Sequence, residues 1–168
     1  MIEFDVNMKA GDLYDYMLRH TYSGFSGLFG SVVGALMVVA GVYIKGYLMV
    51  IAGAILLAYL PWTLFLRSRQ QALANPAFKE PLHYVLDDEG IHVSQNGTEE
   101  MQKWEDIRKA VSTNRSIIVY TSKVNACIFP KRDMGEYTPQ VIQVIETHLP
   151  ASKVKIRAKK GIPIIWSQ

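Results

Sequence analysis

With 168 residues, 18 basic and 15 acidic side chains and a net charge of +3, the chain has the length of one ordinary domain, yet only Lys45 among those charges lies between Thr21 and Leu66. The mean hydropathy of +0.09 therefore averages a greasy part and a charge-dense part. A single cysteine, Cys127, excludes an internal disulfide and any cysteine-based zinc cluster and fits a reducing compartment, and the short basic tail is too poor in aromatics to argue for nucleic acid.

Residues 1–9 alternate. Ile2, Phe4, Val6 and Met8 stand against Glu3, Asp5, Asn7 and Lys9, the period of a half-buried strand. Gly11 breaks the pattern, and residues 12–19 form a short helix capped by Asp12, with Leu13, Tyr16 and Met17 on one face. An acid-rich, mostly polar start is unlike the short basic start of a cleaved leader.

Residues 21–44 and 47–66 carry no charged side chain. Each run is near the ~20 residues that an α-helix needs to cross a hydrocarbon core about 30 Å thick. A domain this small has too little protein to wrap two helices that are apolar all round, so a transmembrane hairpin over residues 21–66 is expected, turning at Lys45-Gly46. Arg19, Arg67 and Arg69 flank its open end while the turn offers only Lys45, which places both termini in the cytoplasm of a multi-pass inner-membrane protein. Tyr43 and Tyr47 would sit at the outer interface, and Tyr22, Phe25, Tyr59 and Trp62 at the inner one. Gly27, Gly34 and Gly41 share one face, Gly30 makes a GxxxG pair with Gly34, and Gly53 repeats the spacing on the second helix. These glycines are helix-packing positions, within the hairpin or at a homodimer seam. Pro61 should kink the second helix. No ionisable group lies within either span, which argues against a channel or transporter.

A polar linker, residues 67–81, leads to a hairpin: residues 82–87 and 90–95 flank a turn with Gly90 in a left-handed conformation, and Asn96-Gly97 begins the next turn. A third strand over 98–103 leads into a bend at Trp104. Strands over 116–121 and 124–129 follow, then Pro130, then a helix over 138–148 that buries Val141, Ile142, Val144, Ile145 and Leu149. Strands followed by one amphipathic helix predict an α+β fold, a sheet or barrel capped by that helix, with the N-terminal strand joining the sheet. The domains would be 1–20, 21–66, 67–81, 82–150 and a basic tail at 151–168.

The order of these motifs resembles a family. Tyr84-Val-Leu-Asp-Asp-Glu-Gly-Ile-His-Val-Ser, then Trp104-Glu-Asp-Ile-Arg-Lys, then Ile128-Phe-Pro-Lys-Arg and the closing helix look like the YcxB-like family of bacterial membrane proteins. The resemblance extends over about residues 1–150 and implies a cytoplasmic pleckstrin-homology-like domain. It brings no catalytic residue.

Arg67, Arg69, Lys123, Lys131, Arg132, Lys153, Lys155 and Arg157 are candidate contacts for anionic headgroups or a partner. Trp104 is expected to pack near Ile107, and Cys127 in the core. His83 and His92 lack a third ligand for zinc. No metal, cofactor or catalytic residue is expected: Ser, His, Asp and Glu stand at no spacing that suggests a nucleophile, base and oxyanion site. The expectation is a membrane-anchored interaction module for an unknown membrane or membrane-proximal protein, with the bilayer itself and anionic lipid as further partners. Protection of a producing cell against a toxin or bacteriocin is a specialised version. A membrane-interface enzyme and a purely structural oligomer are the alternatives.

Overall fold

The computed structural model describes residues 1–156. Arg157 and the rest of the tail lie outside the described residues. The described residues divide into two compact units, one of residues 1–4, 84–94 and 98–156, the other of residues 5–83 and 95–97.

Three helices dominate the second unit: α1 (Ala10–Tyr22), α2 (Phe25–Tyr43) and α3 (Tyr47–Ala74). Asp12 does not cap α1 from outside. It occupies the third helical position, where its Oδ2 accepts the Lys9 amide hydrogen at 3.0 Å, so the helix begins at Ala10. Nothing interrupts it before Ser23-Gly24, and it outruns the eight residues expected of it. Helix α1 clusters with the hairpin rather than with the sheets, because its apolar face meets α3: the Tyr14 and Phe65 rings meet edge to face at 5.8 Å. Helices α1 and α2 are bent by 79° from one another.

Helices α2 and α3 run antiparallel. The glycines facing across them set the approach. A Cβ on Gly53 would stand 2.8 Å from the Gly34 carbonyl oxygen, and one on Gly41 would stand 2.8 Å from the Val50 nitrogen. Gly30 has more room, its nearest neighbour being Leu60 Cδ1 at 3.8 Å. Gly27 serves another purpose: it faces the Thr21 backbone at the α1–α2 corner, where a side chain would collide. The turn is as short as expected, but Lys45 takes the left-handed position, at φ 54°, and the Gly46 amide donates to the Gly41 carbonyl at 2.8 Å.

Helix α3 continues past Leu66 to Ala74, so the expected linker at 67–81 is helical for its first half. Arg67, Arg69, Gln70, Gln71 and Ala72 are good helix formers, and the first breaker is Asn75-Pro76. There Asn75 Oδ1 accepts the Ala77 amide at 3.1 Å and starts a 3-10 turn, Pro76–Phe78. Pro61 lies inside α3, and Thr63 Oγ1 donates to the Leu60 carbonyl one residue before it. By length and composition α3 can cross a membrane; α1 and α2 meet the same standard only as one bent pair.

The other unit is built mainly from strands, β1 (Ile2–Val6), β2 (Leu82–Leu86), β3 (Gly90–Gln95), β4 (Thr98–Lys103), β5 (Lys109–Ser112), β6 (Ser116–Tyr120) and β7 (Ala126–Pro130). Helices α4 (Lys131–Met134) and α5 (Thr138–His148) follow, then β8 (Val154–Lys155). The fold is α+β, with two four-stranded sheets ordered β1-β2-β3-β4 and β7-β6-β5-β8. The N-terminal strand joins the first sheet beside β2. Antiparallel β5–β6 and β6–β7 pairs and a parallel β5–β8 pair make the second. Every residue of β6 is buried, as its unbroken run Ile117-Ile-Val-Tyr requires of a strand covered on both faces.

Two turns show how local chemistry sets the strands. Asn96 and Gly97 both have positive φ, 51° and 78°, the two-residue turn whose twist matches antiparallel strands. At the preceding turn Gly90 is not left-handed. Glycine is needed there because the Gln102 carbonyl approaches too closely for any side chain. Asp87 folds that turn by accepting the Glu89 and Gly90 amides on Oδ1 at 2.9 and 3.0 Å.

The core joins both sheets. Phe129 of β7 meets Phe4 of β1 and Tyr84 of β2 edge-on, at 5.4 and 5.0 Å between ring centres. All three rings are buried, and edge-to-face pairs add about 0.5–1.5 kcal/mol each beyond the area they bury. Helix α5 spans the residues expected of it and buries Val141 and Ile145, one turn apart, while Ile142 and Val144, expected in the same stripe, flank it half-buried.

Candidate functional site

Two features stand out among the described residues, a polar cluster in the strand-rich unit and an apolar groove in the helical unit.

In the strand-rich unit the cluster forms around the β2–β3 turn. Asp87 Oδ2 lies 3.0 Å from His92 Nε2, and His92 Nδ1 lies 3.6 Å from Glu99 Oε1. The Asp87–His92 approach lacks the angle of a hydrogen bond, so it is an ion pair that acts when the imidazole is protonated. Burial alone would raise the Asp87 carboxyl. The amide hydrogens of Gly90 and Glu89, and then His92, outweigh it and hold the carboxyl below its usual range. The Asp87 carbonyl accepts the Trp104 indole hydrogen at 2.8 Å, and Trp104 stacks on His148 at 4.9 Å between ring centres. His148 Nδ1 donates to the Val144 carbonyl at 2.9 Å, and its Nε2 lies 3.5 Å from Asp88 Oδ1. Trp104 is thus a buried clasp between the turn and α5. The sequence places it near Ile107 but does not reveal the His148 stack, because the two residues are far apart in the chain. Among the described residues no group of three or more His, Cys, Asp or Glu side chains converges as a metal site. His83 pairs instead with Asp5, Nδ1 to Oδ1 at 2.7 Å.

In the helical unit a groove of about 660 Å³ runs along α3. It is lined by Tyr14 from α1 and by Ile55, Ala58, Tyr59, Pro61, Trp62 and Phe65 from α3. The three- and four-residue spacing of the α3 residues is visible in the sequence; the contribution of α1 is not, since it depends on how that helix docks. At the end of the groove the Arg69 guanidinium lies over the Phe65 ring, 5.5 Å from its centre.

The described basic residues singled out from the sequence differ in what holds them. Arg67 and Arg69 lie exposed on α3, one on each side of buried Ser68. Lys123 is exposed in the β6–β7 turn, and Lys155 is exposed on β8. The other described ones are engaged within the fold. Lys131 Nζ donates to Ser112 Oγ and the Thr113 carbonyl at 3.2 and 2.6 Å. Lys153 Nζ donates to the Ile107 carbonyl at 2.8 Å. Arg132 is held by Asp133 through two nitrogens at 2.7 and 3.0 Å. Cys127 is buried in β7, and burial pushes its thiol up to about 12, with Glu100 adding to the shift.

Residues 86–148 match the family model described as YcxB-like protein. The matched segment runs from the last residue of β2 to the last residue of α5, so β1, α1, α2 and α3 lie outside it. No curated protein and no solved structure matches the chain.

Proposed function

We propose that this chain, YcxB-like over residues 86–148, is a membrane-anchored interaction module. Helices α2 and α3 form its transmembrane hairpin, and the strand-rich unit is a pleckstrin-homology-like domain that binds a membrane or membrane-proximal protein. The observation that carries this is α3. It is 28 residues long, and only 6% of its most apolar 18-residue window is buried inside the chain. A core helix of a water-soluble protein would be covered by its own fold; this one leaves Leu48, Ile51 and Ile55 exposed, which in water would make an interaction or aggregation surface. Lipid removes that cost.

The antiparallel pairing of α2 and α3 brings both ends of the hairpin to one side, and Arg19, Arg67 and Arg69 against Lys45 favour the cytoplasmic side. Two sheets followed by α5 support the pleckstrin-homology-like reading. Anchoring confines the search for a partner to two dimensions and raises effective concentration, a use that needs no reacting group, and the polar cluster around Asp87 and His92 presents no nucleophile beside a base.

Flotation of the full-length chain with vesicles tests the anchor. The protein is expected to float and to stay with the membrane after alkaline washing; recovery in the supernatant without surfactant would overturn the proposal. A cysteine at Lys45 should react with an impermeant thiol reagent added to intact cells, and one at Lys123 only after lysis. Proximity labelling from the chain in cells should return a neighbour set distinct from that of an inner-membrane control.

A further inference from the structure

We infer that the groove along α3 holds an acyl chain of an anionic phospholipid from the cytoplasmic leaflet, with Arg69 meeting its phosphate. The inference rests on the membrane reading above and gives its lipid contact a place and a chemistry. Three features of the groove agree on that occupant.

The first is length. From Ile55 to Phe65 the helix rises about 15 Å, which is half of a hydrocarbon core about 30 Å thick and so the depth of one leaflet. The second is position. Counting the same rise from Tyr47 at the outer turn, Arg69 lies about 33 Å along α3, at headgroup level, one helical turn beyond the groove's last aromatic ring. The third is charge. The guanidinium is fixed over Phe65, and among the described residues no carboxylate pairs with Arg69 or with exposed Arg67. An apolar channel one leaflet deep that ends in an unneutralised cation is complementary to a lipid with a negative head. A zwitterionic lipid would bring its own ammonium to the same end and gain less. Tyr14 bounds the inner side by meeting Phe65 edge-on, so the open groove is lined from two helices.

The test uses full-length protein in vesicles of phosphatidylcholine with one quarter phosphatidylglycerol. The protein is extracted in mild detergent, and the retained lipid is identified by mass. Phosphatidylglycerol should be enriched about fivefold over the vesicle ratio, the scale of one cation near a headgroup. Arg69→Gln should return the ratio to that of the vesicle, and Arg69→Lys should keep part of the preference. Ala58→Phe, which fills the groove and leaves the cation, should lower retention of both lipids. Enrichment unchanged in Arg69→Gln, or absent from the wild type, overturns the inference while flotation leaves the anchor standing. Protein that does not float overturns both. A second copy of the chain seated in the groove, seen as a dimer free of lipid in the same extract, also overturns it.

Discussion

Alanine at Gly53 and alanine at Gly30 should have opposite effects, although both glycines lie in apolar helices and both gain helix propensity. At Gly30 the new methyl meets Leu60 Cδ1 at 3.8 Å, an ordinary contact. Only the propensity term operates there, and it stabilises by about 0.5–1 kcal/mol. At Gly53 the methyl would lie 2.8 Å from the Gly34 carbonyl oxygen and 2.9 Å from Val38 Cγ2. The first obstacle is backbone and cannot rotate away, so α2 and α3 must part by roughly half an ångström. Overpacking of that kind costs about 1–3 kcal/mol, from which the same propensity gain is subtracted. Gly30→Ala should therefore exceed Gly53→Ala in stability by about 1–3 kcal/mol. Unfolding of the full-length protein in mixed micelles, followed by helical circular dichroism as the denaturing detergent fraction rises, measures the difference. Equal midpoints, or a more stable Gly53→Ala, would refute the close backbone approach. If the glycines served a dimer seam instead, Gly53→Ala would weaken association and leave the monomer's unfolding midpoint in place.

Lys45→Gly should stabilise the hairpin by about 1 kcal/mol, because a side chain at φ 54° is strained where glycine is not; a lower midpoint in the same titration would contradict this. Trp104→Phe keeps a ring against His148 but leaves the Asp87 carbonyl without its donor, a loss of about 1–3 kcal/mol that chemical denaturation of the variant would read, and no change would show that water replaces the indole. Asp87 has a depressed carboxyl in the fold, so its contribution is present above the unfolded value of about 4 and is lost as pH falls through the lower folded value. Wild type should consequently lose more stability than Asp87→Asn on acidification below about pH 4, and parallel acid profiles would dispose of that account. Cys127, with its thiol pushed up to about 12, should resist alkylation at neutral pH until denaturant is added; rapid labelling of the folded chain would place it at the surface.

Local signals located most of the elements. Alternation marked Ile2–Val6, Asn96-Gly97 marked the β3–β4 turn, and the stripe of Val141, Ile142, Val144, Ile145 and Leu149 between Thr138 and Pro150 marked α5, although it was drawn two residues too wide. Strand β5 escaped because Ala110 and Val111 are its only apolar residues, and four residues are too few to show a period; its place depends on pairing with β6. The extension of α3 to Ala74 was hidden by a change from apolar to polar residues that alters exposure but not helix preference. Gly90 was legible as a turn glycine, but its requirement lies across the sheet at Gln102, which no local pattern announces. The basic residues show the same limit. Composition identified them, yet Lys131, Arg132 and Lys153 are tied to their own fold, and only the structure distinguishes them from Arg67 and Arg69.

Strand β8 is two residues long, but it has a task out of proportion to its size. Val154 and Lys155 lie alongside Ala110 and Val111, and the Ala110 amide donates to the Lys153 carbonyl at 2.9 Å. This short splint shields the outer rim of β5. A chain shortened to end at Pro150 would bare that rim as well as lose its positive charges, and naked strand rims recruit other chains. Clumping of such a shortened protein would report the missing splint, and a cut made after Ile156 separates that effect from whatever the remaining residues do.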